Sequence, residues 1–404
     1  MLKRKNYWLL FAILLLSLTS LSPSLELKTS DGPRLRSNPE NQSALPSSGE
    51  KGNVGPLRIT VSLSDAEFRE LQFISGRYTL SSGVRVELIN RDSDSSHATL
   101  LNDLTVGDSP DIIMTDGRNI LDLATRGYLL PVDVYQRTPG STPLTGLIPL
   151  LQWNGYDWGV PLDIDPYVFV YSPERLAELG IEKLPRSLEE WSSLLQNVRK
   201  TKGKSLLALD TRNPYGYSAF LKSVGSHLLS EDSAPLEWTQ EARSDFYLTS
   251  RYNEDVWDML QEGTLTVAAL PLSEWQTHGS ANLAVEAPLI ESNDNGLDSL
   301  ESRCFAVSAQ SLYPEEAVNW LSYITSRPAQ LEWLELTGRL PALDELYRSG
   351  LPGMDPLPFR ADILLTDDTA PVEQTKGGWS KVSAAVASLL TSKMDAAGYK
   401  KALQ

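Results

Sequence analysis

Residues 57–63, LRITVSL, alternate apolar and polar side chains as a half-buried strand does. Ser64 and Glu67 then form a capping box, and Phe68, Leu71 and Ile74 recur at helical spacing up to Gly76, which predicts a helix. A strand over 84–88, a helix near 98–104 and a strand over 111–114 follow. That βαβαβ order belongs to an α/β lobe with a largely parallel sheet. Ligands of such open sheets sit beyond the carboxyl ends of the strands. Ser64 and Asp65 after the first strand, and Thr115, Asp116 and Arg118 after the third, are therefore expected to face one crevice.

Residues 159–171 are a β-branched and aromatic run interrupted by Asp163, Asp165 and Pro166, the pattern of a strand broken at a turn or hinge. Ser172 as N-cap, Pro173 at the first helical position and Gly180 as terminator predict a helix at once. Pro185 stops the chain, and Ser187 with Glu190 forms a second capping box ahead of Trp191, Leu194, Leu195 and Val198. Further on, a strand is expected over 304–308. Pro314 and Pro328 each start a helix, the second ending at Gly338, and an amphipathic helix covers 380–394.

With 404 residues, 41% hydrophobic and 22% charged, the chain can bury one or two sizeable cores and has a globular composition. Its formal charge of −16 weighs against nucleic acid, which needs a basic surface. Cys304 is the single cysteine, expected as a buried small apolar side chain, and neither an intramolecular disulfide nor a multi-cysteine metal site is possible. His97, His227 and His278 lie far apart without metal spacing. No nucleophile elbow or phosphate loop occurs, so neither a cofactor nor catalysis is expected.

Lys3, Arg4 and Lys5 precede an apolar stretch over 7–18, the pattern of an export signal, so the protein is expected to work outside the cytoplasm. At about 12 residues the stretch is shorter than the ~20 that comfortably span a bilayer, which favours a cleaved signal peptide within 1–27. The lack of an A-x-A cleavage site leaves an uncleaved membrane anchor as the alternative, and no lipobox cysteine follows. Residues 28–56, rich in Pro, Ser, Gly and Asn and free of periodicity, read as a disordered linker.

The stretch 153–191, WNGYDWGVPLDIDPYVFVYSPERLAELGIEKLPRSLEEW, resembles the crossover segment of the extracellular solute-binding proteins of ABC importers, carbohydrate type, the maltose-binding-protein-like group. Ser172 stands where that group has Asn after Tyr, and Ser187-Leu188 where it has Thr-Trp. GDSPDIIMTD at 107–116, ATRGYLLPVD at 124–133 and SLYPEEAVNWLSYITSRPAQLEWLELTGRLP at 311–341 continue the resemblance in the same order, over about 57–402. It implies a two-lobed α/β fold of the type II periplasmic-binding-protein, or Venus-flytrap, kind. Lobe 1 is expected over 57–163 with 283–326 and lobe 2 over 164–282 with 327–404. It also implies a monomer that binds a sugar in the interlobe cleft and hands it to a membrane permease. The segment between Gly225 and Gly263 is shorter than in maltose binders, so ligand identity does not transfer.

Several Trp and Tyr residues sit beside Gly, Pro or carboxylates, as sugar recognition requires: a ring stacks on the apolar C–H face and carboxylates or amides take the hydroxyls. By the resemblance, Trp275 in LPLSEW and Trp379 in KGGWS fall at cleft tryptophans; a surface aromatic and a hydrophobic staple are the plainer readings. Tyr215 in RNPYGYSAF falls at a family tyrosine, with Asn213 replacing a sugar-binding carboxylate. Asp165 falls at a crossover acid with Asp163 in reserve, and turn formation beside Pro166 is the plainer reading of either. Asp116 combines helix capping with ligand binding. Two other functions stay open: a membrane-tethered, degenerate member acting as a sensor or interaction module, and a secreted carbohydrate-active enzyme using a carboxylate pair such as Asp163 and Asp165.

Overall fold

The strand Val160–Tyr171 organises the molecule, because its two ends pair with different partners. Residues 160–166 pair with Leu300–Ser308, and 163–164 also with Leu340–Pro341; residues 167–171 pair with Leu265–Pro271 and 169–171 also with Ala284–Glu286. The computed structural model describes residues 55–404, apart from 92–95, 108, 138–141, 202, 251–253, 289–296, 355 and 367–377. The expected export signal or anchor and most of the linker lie outside the described residues. No described helix is long and apolar enough to cross a membrane.

Around the crossover strand runs one mixed sheet in the order Val86–Asn90, Leu57–Val61, Ile112–Asp116, Leu300–Ser308, Val160–Tyr171, Leu265–Pro271, Ser205–Asp210, Phe246–Thr249. The first three strands are mutually parallel, as are the last three, and antiparallel pairs at Leu300–Ser308 and Val160–Tyr171 join the two halves. Pairing of parallel strands through helices puts apolar side chains on both sheet faces, which is why the central strands are almost wholly buried while the edge strands Val86–Asn90 and Phe246–Thr249 are only partly so.

The expectation of a strand interrupted near Asp163, Asp165 and Pro166 is corrected: Val160–Tyr171 is continuous and buried up to its last residue. Pro166 is tolerated because its missing N–H falls where the strand exchanges partners between 166 and 167. The two buried aspartates are tolerated because arginines neutralise them, as described below.

Local signals mostly act as read. Ser64 and Glu67 form the reciprocal box that opens Asp65–Ser82, and the helix passes Gly76 to end at Gly83, whose φ of 76° suits glycine. Ser172 caps Pro173–Glu178 and Ser187 caps Leu188–Lys200, although Glu190 accepts from the Arg186 amide instead of that of Ser187. The late helix covers Gly378–Leu390 and a further helix, Ala396–Leu403, follows a cap at Asp395. Cys304 is buried.

One core joins Leu57, Ile59, Leu71 and Ile74 to Trp320 and Trp333 over the first half of the sheet. Another joins Trp191, Phe220 and Trp238 to Val382, Val386 and Leu389 over the second. Residues 327–404, expected together in lobe 2, thus divide. Arg327–Thr337 packs on Asp65–Ser82 in the first half, and Gly378–Leu390 joins the second.

Candidate functional site

At the carboxyl end of Ile112–Asp116, the Asp116 carboxylate accepts the Arg118 amide at 2.9 Å and caps the short turn Gly117–Asn119. The turn lies tight against Leu300–Ser308: a Cβ on Gly117 would stand 2.4 Å from Ser302 Oγ and 3.1 Å from Cys304 Sγ. A side chain here would force Ser302 and Cys304 to shift. The turn directs Arg118 into the junction between the halves, where its guanidinium lies 4.4 Å from the Trp379 ring centroid and pairs with Asp298 at 2.5 Å.

The second half supplies Tyr215, at the start of Tyr215–Ser223. Asn213 sets it: its Oδ1 accepts the Tyr215 amide at 3.1 Å, and its Nδ2 donates to the Tyr167 hydroxyl at 2.9 Å. The Tyr215 ring lies 5.7 Å from Tyr167 and 5.3 Å from Trp379, and its hydroxyl donates to Asp116 Oδ2 at 2.5 Å. Burial pushes the Asp116 carboxyl up to about 6, against the pull of the Tyr215 hydroxyl and Arg118 amide. Three of the expected residues, Asp116, Tyr215 and Trp379, therefore meet, and Arg118, which was expected only to face the crevice, joins them.

Asp163 and Asp165 have another task. Both are completely buried. Asp163 accepts from Arg303, from Arg339 Nε at 3.0 Å and from Trp333 Nε1 at 2.8 Å. Asp165 accepts the Ser273 amide at 3.0 Å, its hydroxyl at 2.5 Å and Arg339 Nη1 at 2.9 Å. Every carboxylate oxygen is occupied by the protein, so the expectation that either faces a ligand is corrected. The turn-forming alternative fails as well, since both lie within a strand. Arg303 reaches on to Glu67 at 2.7 Å and Arg339 to Glu301 at 2.9 Å. The chain of charges thus runs from the first turn of Asp65–Ser82 to the start of Leu272–His278. Burial alone would raise the Asp163 carboxyl, but Arg303 and Arg339 outweigh it and hold it low; burial dominates at Asp165 and lifts it to about 7.

Ser64 and Asp65 are exposed, and the Ser64 hydroxyl accepts the Glu67 amide, so the first is a cap. Trp275 is half-buried in Leu272–His278 and packs on the apolar core. The sequence reading missed three members. Tyr167 was legible as the aromatic following Pro166 in the crossover. Asn213 was read only as a lost carboxylate, and nothing local marks Asp298. A small recess lined by Pro166, Tyr167, Pro288, Leu300, Phe359 and Ile363 among others adjoins Tyr167.

The fold has known counterparts. The acarbose-binding GacH receptor of Streptomyces glaucescens superposes with a TM-score of 0.65 at 16% identity, over 86% of this chain and 96% of the receptor. MalX of Streptococcus pneumoniae, solved with maltopentaose, gives 0.62 at 16% identity over 86% and 99%. Maltose-bound MalE3 of T. maritima gives 0.64 at 16% over 86% and 97%. These are similar in fold, the two-lobed type II periplasmic-binding-protein architecture. No curated protein matches the chain by sequence. The family profile of the bacterial extracellular solute-binding proteins, however, matches residues 76–359, a span that includes Arg118, Tyr167, Tyr215 and the entire crossover strand. Sheet topology and sequence pattern agree, and the chain belongs to the bacterial extracellular solute-binding protein family.

Proposed function

We propose that the protein is the extracytoplasmic binding component of an ABC importer, that it takes a carbohydrate between the two halves of the sheet, and that it delivers it to a membrane permease. The observation that carries this reading is the group Tyr167, Tyr215 and Trp379 beside Asp116 and Arg118. Aromatic faces take the apolar C–H face of a sugar, while a carboxylate and a guanidinium offer an acceptor and a donor to neighbouring hydroxyls. Asp116 and Arg118 come from the first half and Tyr215 from the second, so a bound sugar bridges both. The ligand's contacts to both halves then favour their closed arrangement about Val160–Tyr171 and Leu300–Ser308.

The relatives in fold whose structures hold acarbose, maltose and maltopentaose favour an α-glucoside as first probe. Asp163 and Asp165 are neutralised by arginines, which removes the carboxylate pair that favoured a glycosidase. The test is thermal unfolding of the protein against mono- and oligosaccharides, polyols and amino acids. A ligand at a hundredfold excess over its dissociation constant adds ~2.7 kcal/mol to the folded state. A sugar that raises the midpoint, and no longer does so in Trp379→Ala, supports the reading; a panel without any shift sinks it.

A further inference from the structure

The residues best suited to a sugar are engaged with one another across the junction. Tyr215, set in the second half by Asn213, donates to Asp116 at the tip of a first-half strand. Trp379 opens a helix whose later residues Val382, Val386 and Leu389 lie in the second-half core, yet its ring meets Arg118 of the first half at 4.4 Å and Tyr215 at 5.3 Å. At Gly378 the same helix start approaches Asp122 of Ile120–Thr125, with 3.6 Å between a glycine Cβ position and the Asp122 carboxyl carbon. Asp298 then fixes Arg118 from the turn Leu297–Ser299, which packs on Tyr215–Ser223.

We propose that Asp116, Arg118, Tyr215, Asp298 and Trp379 form an intramolecular latch that holds the cleft shut by itself, so that a solute enters by displacing Tyr215 from Asp116 and Arg118 from Trp379. The clause about entry rests on the carbohydrate reading of this site; the latch itself does not.

Three physical features make the latch both effective and releasable. Its contacts are charge-assisted or aromatic and shielded, the Arg118 side chain being only 6% exposed, so water competes poorly. The contacts come from separate elements of both halves, so opening breaks them together. The latched state is also imperfect: Arg118 Nε is buried without an acceptor among the described residues. A sugar hydroxyl satisfies that donor and takes over the Asp116 carboxylate, which gives the ligand the differential affinity that population shift requires.

The experiment places spin labels at Leu80→Cys on Asp65–Ser82 and Glu189→Cys on Leu188–Lys200, both exposed helix positions, in the full chain. Native Cys304 is fully buried and stays unlabelled. Without sugar, the expected pulsed-dipolar distance distribution is narrow, and it lengthens and broadens in Tyr215→Phe with Asp298→Asn. Cooperative thermal unfolding of the variant separates opening from misfolding, and Asp298→Asn alone, of unchanged size, is the second variant. Identical distributions in the sugar-free protein and the variants overturn the latch. Titration with maltose and maltopentaose is the second arm. Asp298→Asn is expected to bind about tenfold more tightly, the factor by which affinity falls when about a tenth of the molecules is binding-competent. Weaker binding by Asp298→Asn overturns the latch as a barrier to entry. If the distances respond to the variants but neither sugar binds any form, the latch stands and the carbohydrate reading falls.

Discussion

The Tyr215 hydroxyl donates to Asp116 Oδ2 at 2.5 Å and so joins the first turn of a second-half helix to the tip of a first-half strand. Tyr215 is almost fully buried, and its ring is held between Tyr167 and Trp379. The ring and the hydroxyl therefore serve separable purposes, packing and cross-junction bonding.

Replacing Tyr215 by Phe keeps the ring and removes the bond. A hydrogen bond to a charged group contributes about 1.5–3 kcal/mol, and a loss of that size in denaturant unfolding is the expected outcome. An unchanged midpoint would mean that the bond contributes nothing in solution.

Arg339 touches Asp163, Asp165 and Glu301 at once. Arg339→Leu leaves buried carboxylates facing fewer cations, and breaking such a pair from one side costs roughly 3–5 kcal/mol. Urea titration of the variant checks this. A loss below about 1 kcal/mol would show the network to be dispensable.

Stability should depend on pH in two opposite ways. Asp165 is raised by burial to about 7 and Asp116 to about 6, against an unfolded value of about 3.9. Between these values the folded state holds more protons than the unfolded, so stability falls as pH rises through that interval. At Glu67 and Asp163 burial acts upward too, but Arg303 and Arg339 outweigh it and hold both carboxyls low. Their stabilisation is present above the ordinary carboxylate range and is lost as pH falls toward their folded values. The unfolding midpoint is therefore expected to peak near the unfolded carboxylate value, at about pH 4, and to decline on either side, with a shallower neutral limb in Asp165→Asn. A midpoint rising steadily from pH 4 to 8 would contradict this assignment.

Gly117 is expected to accept a side chain only at a cost. Gly117→Ala sets a methyl group 2.4 Å from Ser302 Oγ, and an overpacked interior position costs typically ~1–3 kcal/mol. Because the turn also aims Arg118, the variant should weaken sugar binding as well as lower the unfolding midpoint. Calorimetry and a binding titration on the same preparation measure both.

The helices and most strands were legible because their signals are local. The hydroxyls of Ser64, Ser172 and Ser187 accept the amides of Glu67, Arg175 and Glu190 within one turn, so sequence neighbours suffice. Asp116 was legible for the same reason, as the polar residue ending a strand. Where the reading failed, a distant residue intervened. Asp163, Asp165 and Pro166 look like a break, and only Arg303 and Arg339, 140 and 176 positions away from Asp163, make them fit a buried strand.

By itself, then, the sequence determined the α/β periodicity, the helix starts, a candidate acid at a strand tip and the family likeness, since spacing and capping encode these over a few residues. Only the tertiary structure decided which polar residues are structural and which meet at the junction. Charge neutralisation and aromatic contact act between elements remote in the chain. The pairing of Asp163 with two arginines, the alignment of Asn213 with Tyr167, and the meeting of Arg118, Trp379 and Asp298 exist only once Val160–Tyr171 has joined the halves of the sheet.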